Sequence, residues 1–287
     1  MMISVIIPVY NQYSSLDVVL WHFCRQTISE PFEIIIVDDG SSDYDPSVLE
    51  RYTSLQITHI RNKINKGRSH TRNAAIDSAK GEYLVFCDCD RFPVPEFIES
   101  HMNLIDSPDA ILSIGYSTET YNSVDKLKVE AETIIRRKAI YYKVISQIYN
   151  ESGITDSHLC WLSTLSGNMA LKKSTLAGHR FDCDFKNWGF EHFELGYRLW
   201  KDKTLFMSNA KAENIHIAHA RSKGFYNESI INSHDTFLSK HPVDEVSLLK
   251  GFVLGEISLQ EYETKINGGL KWIENKQKPI LVNNINM

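Results

Sequence analysis

The sequence predicts an α/β fold with a mostly parallel central sheet flanked by helices, and three observations lead to it. Short runs rich in Ile and Val alternate with stretches at helical spacing over residues 3–87. The apolar runs are continuous rather than alternating, as expected of strands covered on both faces. Each of three runs also ends in a polar cluster: Tyr10-Asn11, Asp38-Asp39-Gly40 and Asp88-Cys89-Asp90. In a parallel sheet such clusters collect at the carboxyl ends of the strands, where ligands bind.

The elements follow in order. Residues 3–10 read as the first strand, with Pro8 near its end and a turn at Asn11-Gln12. Residues 14–27 carry Leu16, Val19, Leu20 and Phe23 on one helical face. Residues 32–37 form the second strand, a short helix is expected over 46–52, and a third strand over 57–60. Residues 69–80 carry Ala74, Ala75, Ile76 and Ala79 as a helix closed by Gly81. The strand at 83–87 follows, and Arg91-Phe92-Pro93 ends it, because proline cannot donate to a central ladder. Residues 123–150 predict one long helix, with Leu127, Ile134, Ile135, Tyr141, Tyr142, Ile145 and Ile148 on its packed side. Arg136-Arg137-Lys138 then falls on a solvated helical face. Short helices over 246–254 and 258–265 and a polar, disordered tail over 275–287 complete the chain. The expected division is a main domain over 1–240, with halves of about 1–115 and 116–240, and a small C-terminal helical appendage over 241–287.

Bulk properties exclude several functions. The 287 residues carry 31 Lys plus Arg against 36 Asp plus Glu, a net charge of −5, so no basic footprint points to nucleic acid. Five cysteines, Cys24, Cys87, Cys89, Cys160 and Cys183, show no framework spacing, and a zinc site would need further Cys or His at ligand spacing. Cys87 and Cys89 flank Asp88 on one side of a strand and read as packing residues. The first residues lack a basic segment followed by a long apolar one, and no run has bilayer-spanning length. A cytoplasmic protein is expected, with peripheral membrane contact left open.

The chemistry starts at Asp88-Cys89-Asp90. Two carboxylates at a strand tip suit a hard divalent cation, Mg²⁺ or Mn²⁺, which takes one or two protein carboxylates and substrate phosphates. The first strand is not followed by a Gly-x-Gly-x-x-Gly, and no Gly-Lys-Ser/Thr loop occurs. In the second half, Gly167 allows close backbone approach and Asn168 offers both donor and acceptor. Glu191, Glu194, Leu195 and Arg198 lie at helical spacing, with both acids near a helix start where the dipole favours them. Asp182-x-Asp184 reads as a structural turn. His216 and His219 form either a metal pair or a single imidazole completing a carboxylate site.

Six segments, in order, carry a resemblance: Val5-Ile6-Ile7-Pro8-Val9-Tyr10-Asn11; Ile36-Val37-Asp38-Asp39-Gly40-Ser41-Ser42-Asp43; Asn65-Lys66-Gly67-Arg68 through Arg72-Asn73; Leu84-Val85-Phe86-Cys87-Asp88-Cys89-Asp90; Ser166-Gly167-Asn168; and Trp188-Gly189-Phe190-Glu191. Each is short, and their order gives them weight. The chain resembles family-2-type nucleotide-sugar glycosyltransferases of GT-A fold over roughly residues 1–225. The last three segments look closest to the hyaluronan/chondroitin-polymerase and polypeptide-GalNAc-transferase-like branches. The resemblance implies a metal-dependent transfer of a hexose or N-acetylhexosamine from a UDP-sugar to an acceptor hydroxyl on a glycan, peptide or lipid-linked partner, with Mn²⁺ or Mg²⁺ as cofactor.

It also implies roles. Tyr10 and Asp39, with Asp38 beside them, would hold uracil and ribose, and Pro8, Asn11 and Cys89 join the nucleotide-sugar contacts. Arg68 and Arg72 would line the donor, and Asp88 would contact ribose or donor sugar and contribute to the metal site. Asp90 would ligate the metal, with His216 as third protein ligand and His219 as the alternative. Gly167, Asn168, Trp188 and Gly189 would form the acceptor or sugar platform. One position departs from the pattern: inverting relatives place Asp after the residue matching Glu191, whereas this chain has His192. Glu191 is expected as the functional carboxylate, with Glu191 or His192 as base in an inverting reaction. Retaining transfer and a catalytically silent nucleotide-sugar or glycan-binding module are the alternatives, with a sugar-1-phosphate nucleotidyltransferase further behind.

Overall fold

The computed structural model describes residues 2–186, 189–219 and 225–269. The chain runs through β1 (Ile3–Val9), α1 (Tyr13–Phe23), β2 (Phe32–Asp38), α2 (Ser47–Glu50), β3 (Gln56–Arg61), α3 (Arg68–Ser78), β4 (Tyr83–Cys87), β5 (Arg91–Pro93), α4 (Phe97–Ile105) and β6 (Ile111–Thr120). It continues through β7 (Arg137–Lys138), α5 (Ile140–Ile145), β8 (Asn168–Lys172), α6 (Glu191–Lys201), β9 (Leu205–Ile217), α7 (Phe225–Lys240), α8 (Asp244–Ser247), α9 (Leu249–Val253) and α10 (Leu259–Asn267). Among the described residues the strands form one sheet in the order β3-β2-β1-β4-β8-β6-β9-β5, with β7 added to β6.

The continuous apolar runs have the expected cause. Successive residues of each inner strand point to opposite faces, and both faces are covered. Ile6, Ile35, Val37, Leu84 and Phe86 join one buried cluster with Ala75 and Ile76 of α3. Val5, Ile7, Ile34, Ile36 and Val85 join the other with Leu16, Val19 and Phe23 of α1 and Phe97 of α4. β1 pairs in parallel with both β2 and β4, so the chain segments after these strands leave the same edge of the sheet.

The second half changes direction. β8 runs antiparallel between β4 and β6, β9 returns parallel to β6, and β5 is antiparallel to β9. The parallel run predicted from the first hundred residues is thus confined to β3, β2, β1 and β4. Pro93 does more than stop a strand: it lies in β5 at the sheet edge, where a missing N–H costs no ladder bond.

The long helix predicted over 123–150 is not formed. That stretch holds two 3₁₀ turns (Val124–Lys126 and Ala131–Thr133), β7, α5 and a third turn at Ser146–Ile148. Leu127, Ala131 and Ile134 are buried on the α1 face of the sheet, whereas Val144, Ile145 and Ile148 are buried on the α3 face. A straight helix presents one stripe to one surface, so a segment feeding both faces must break. Arg136-Arg137-Lys138 accordingly lies at and before strand β7, not on a helical face.

After His241, α8, α9 and α10 bury Val246, Leu249, Phe252, Val253, Leu259 and Tyr262 in the cluster that also holds Trp161 and Phe237. The expected disordered tail, 275–287, lies outside the described residues. No helix among the described residues is long and apolar enough to cross a membrane.

Candidate functional site

The polar clusters meet where β2, β1 and β4 end side by side. Asp38 is fully buried and accepts the Ser41 N–H at 2.8 Å, with Arg61 Nε 3.2 Å from its other oxygen, so it closes its own turn. Asp39 accepts from Asn62 Nδ2 at 2.9 Å, the Lys66 N–H at 2.9 Å and the Gly67 N–H at 2.8 Å. A carboxylate has about four acceptor sites, which leaves Asp39 room for one further donor. Asn11 adopts a left-handed conformation with φ of 53° and accepts the Ser42 N–H at 2.8 Å, tying the first loop to the second. Pro8 lies within β1, while the Tyr10 ring beyond the strand end is 48% exposed and forms an open flat surface.

The Asp88-Cys89-Asp90 turn divides its side chains three ways. Cys89 is buried, packs with the α1 face and donates to Gln12 Oε1 at 2.9 Å. A donor contact through the Cys89 side chain is therefore corrected, since its thiol is spent inside the fold. Asp90 faces β9, and its Oδ2 lies 3.7 Å from His216 Nε2 and 3.9 Å from His219 Nδ1. The cause is sheet register: Arg91 of β5 pairs with His216, and the Ile217 N–H donates to the Asp90 carbonyl at 2.8 Å. Burial would raise the Asp90 carboxyl, but hydrogen bonding to and charge on His216, with Arg91 and His219, hold it below the usual carboxylate range.

One ligand atom from each of Asp90, His216 and His219 lies within 4.8 Å of the others. Such spacing suits a cation about 2 Å from each, and one carboxylate with two imidazoles matches Mn²⁺ or another first-row ion. The residues fit a metal, and both histidines are placed to serve. Asp88 is not in that group. Its Oδ1 accepts from Arg72 at 2.8 Å instead.

Arg72 joins the halves of the molecule. It is buried in α3, and its second terminal nitrogen donates to Glu191 Oε1 at 2.9 Å. Arg68 lies 3.9 Å from the same oxygen and His192 Nδ1 3.5 Å from it. Glu191, the first residue of α6, is fully buried. Burial pushes its carboxyl up, but the charges of His192, Arg68 and Arg72 outweigh this and hold it well below its ordinary value. Its Oε2 and the Arg72 Nε are buried without a hydrogen-bond partner. The chain enters α6 through left-handed conformations at Gly189 (φ 95°) and Phe190 (φ 70°). For a bulky residue this is strained, and the Glu191 ion pair helps to hold it. Trp188 lies outside the described residues.

Gly167 is where close approach was expected: a methyl group there would come within 2.6 Å of Arg91 Nε and 2.7 Å of Asp88 Oδ2. Asn168 does not face the site, which corrects its assignment to a sugar platform. It is fully buried, donates to the Tyr116 and Ala212 carbonyls at 2.8 and 3.1 Å, and accepts from His101 at 3.0 Å. Asp182 and Asp184 bind Lys240 at 2.7 and 2.6 Å, in keeping with a structural turn.

Sequence reasoning missed three contributors. Gln12 approaches Asp90 Oδ2 at 3.5 Å and supports the turn through Cys89. Arg91 donates to Ser117 Oγ at 2.8 Å, and Asn214 donates to the Gly167 carbonyl at 2.6 Å. The available signal was position: Gln12 and Arg91 adjoin motifs already singled out, and Asn214 precedes His216 by one strand period.

Comparison with known proteins agrees with this architecture. The "Glycosyl transferase family 2" profile matches residues 4–166, more than half of the chain. The chain is 28% identical over 249 residues to a chondroitin synthase of Escherichia coli, an alignment covering 79% of this chain but only 36% of that relative's length. Among solved structures, S. aureus TarS residues 1–349 in complex with UDP has a TM-score of 0.60 at 20% identity, covering 91% of this chain and 77% of that one. The mannosyltransferase PcManGT of Pyrobaculum calidifontis, in complex with GDP-Man and Mn²⁺, has a TM-score of 0.57 at 16% identity, covering 83% and 63%. These likenesses show the GT-A fold, and the match across the first three strands and the Asp-x-Asp turn places the protein: the chain belongs to glycosyl transferase family 2.

Proposed function

We propose that this protein is a metal-dependent glycosyltransferase that moves a hexose or N-acetylhexosamine from a UDP-sugar to an acceptor hydroxyl, with inversion. The observation carrying this reading is the Asp90–His216–His219 cluster, one residue from the Asp88–Arg72 pair at the carboxyl edge of the sheet. Tyr10, Asn11 and Asp39 at the neighbouring strand ends would take the nucleoside, with residues up to about 115 forming the donor half and about 116–240 the acceptor half. The UDP complex of TarS and the Mn²⁺ complex of PcManGT support a nucleotide donor and a divalent ion. A bound Mn²⁺ or Mg²⁺ would supply positive charge to neutralise the departing diphosphate.

This chain's residues then divide the remaining work. Arg72 fixes Asp88 toward the donor. Inverting transfer forms a bond from the acceptor oxygen to the anomeric carbon while the bond to the diphosphate oxygen breaks, and the acceptor proton must go to a base. Glu191 is unsuited to take that proton, being buried and paired with the Arg72 and Arg68 guanidiniums. The neutral form of the His192 imidazole, beside it, receives the proton, and Glu191 is a positioning residue that orients the imidazole and stabilises it once charged.

UDP together with Mn²⁺ is expected to raise the melting temperature by several degrees, since saturation at one hundred times Kd adds about 2.7 kcal/mol. Asp90→Asn should abolish that shift while keeping the fold. No shift in the wild type at millimolar UDP and Mn²⁺ rejects the donor reading, and NMR of the product's anomeric proton tests inversion.

A further inference from the structure

β7 brings a set of side chains to the site that its position in sequence conceals. Across β7, β6, β9 and β5, one row of the sheet reads Arg137, Glu119, His216 and Arg91. Residues paired directly across strands share a face, so Glu119 and Arg137 stand on the same face as the His216 imidazole. Tyr121 follows the last pair of that ladder, Thr120 with Ile217, and the Ala218 N–H donates to the Thr120 carbonyl at 2.9 Å. The Tyr121 backbone therefore lies about one strand spacing, ~4.8 Å, from the segment leading to His219.

The side chains here form a small wall. Arg137 lies over the Tyr121 ring at 4.7 Å from its centroid and donates to the Tyr121 hydroxyl, and that hydroxyl donates to Glu119 at 3.2 Å. Even with the guanidinium on it, Tyr121 is 64% exposed, and Ile135 beside it is 82% exposed. Ile135 is held there by its carbonyl, which accepts from Thr120 Oγ1 at 3.0 Å. Nothing in the cores requires these exposed positions.

We propose that Tyr121, Arg137 and Glu119 form a binding wall for the acceptor, and that the acceptor is an uncharged carbohydrate chain. The inference rests on the donor reading above and extends it to the acceptor. A pyranose presents a face of C–H groups suited to an aromatic ring and equatorial hydroxyls around its edge. Arg137 supplies planar donors and Glu119 an acceptor next to that ring, the pair needed to satisfy neighbouring hydroxyls. Charge at the wall favours a neutral chain over a polyanionic one or a lipid diphosphate: Arg137 is matched by Glu119 and the adjacent Arg136 by Glu213, while Lys138 next to them lies over the Tyr116 ring. The wall sits on the row of His216, so a chain lying on it ends at the Asp90 cluster.

The test uses the full chain, a panel of UDP-hexoses and UDP-N-acetylhexosamines with Mn²⁺ as donors, and neutral oligosaccharides of two to six hexose or N-acetylhexosamine units as probes. Saturation-transfer NMR reads oligosaccharide binding without turnover, and UDP release reads the donor. Tyr121→Ala and Arg137→Ala should weaken oligosaccharide binding and raise acceptor KM by roughly tenfold, as loss of one aromatic stacking contact implies. Tyr121→Phe should retain most of the affinity, and in each variant donor-only UDP release and the UDP-induced melting shift should equal wild type. Absence of UDP release from the wild type, with oligosaccharide binding still lost in Tyr121→Ala, overturns the donor reading and leaves the wall standing. Failure of every neutral oligosaccharide to bind, equal binding by both alanine variants, or preference for a peptide or a phosphorylated lipid overturns the wall.

Discussion

Glu191 lies in the interior with Arg72 at 2.9 Å, and the same guanidinium reaches Asp88 at 2.8 Å, so a single side chain holds both the Asp88 carboxylate and the entry to α6. Such a pair is expensive to break, because removing one partner leaves an uncompensated buried charge. Gly167 makes a sharper probe of the same corner. Gly167→Ala places a methyl group within 2.7 Å of both Arg91 and Asp88, an overlap costing about 1–3 kcal/mol where neighbours cannot yield. Since the atoms that must give are polar ends of the site, UDP affinity should fall by about tenfold or more with little change in melting temperature. Calorimetry showing unchanged affinity would mean that Asp88 swings aside freely. At this scale residue type was legible and orientation was not. Asp90 and His216 could be nominated because few other roles suit them at a strand end. Asn168 could not be judged, because an amide serving two carbonyls and a histidine looks the same in sequence as one serving a sugar.

Strands β1, β2 and β4 were legible because each run is buried on both faces and each ends in polar residues, so period and boundary agree. The segment 123–150 carries comparable apolar content but delivers it to opposite faces of the sheet, and no single period describes such a path. β7 escaped notice for the same reason: two exposed cations form a strand only because β6 offers an edge. The C-terminal helices were readable from their spacing, and α10 shows why it starts where it does. Ser258 Oγ accepts the Glu261 N–H at 3.2 Å while the Glu261 carboxylate accepts the Ser258 N–H at 2.6 Å, a reciprocal cap. Ser258→Ala should cost about 1 kcal/mol, read as a melting temperature lower by about 2–4 °C. A larger loss would show that α10 supports the buried Tyr262 and the core beneath it.

For the whole molecule, acid stability follows from two buried imidazoles, on helices α1 and α4. His22 stacks on Phe92 and bonds the Leu127 carbonyl, and His101 is held between Ser113 and Asn168. Burial lowers both from 6.5 to about 4, against the smaller opposing effect of those bonds. Each is neutral in the fold and takes a proton on unfolding, so stability is whole above pH 6.5 and drains as pH falls toward 4. Urea unfolding should therefore show a loss of ~2 kcal/mol per histidine between pH 7.5 and 5, whereas constant stability would mean that the imidazoles take up protons as readily in the fold as in the unfolded chain. Asp17, Asp182 and Glu194, held below their ordinary values by Lys or His partners despite burial, add a second loss only as pH falls through the carboxylate range. Asp90 is joined to its imidazole partners through the bond from Ile217 to its own carbonyl, and the outer side of β4 is covered by β8. A chain emerging from the ribosome would display β4 as a bare template for aggregation until residue 172 arrives, and would hold an incomplete cluster until residue 219 does. Cation capture would then report that the sheet has closed through β9 onto β5.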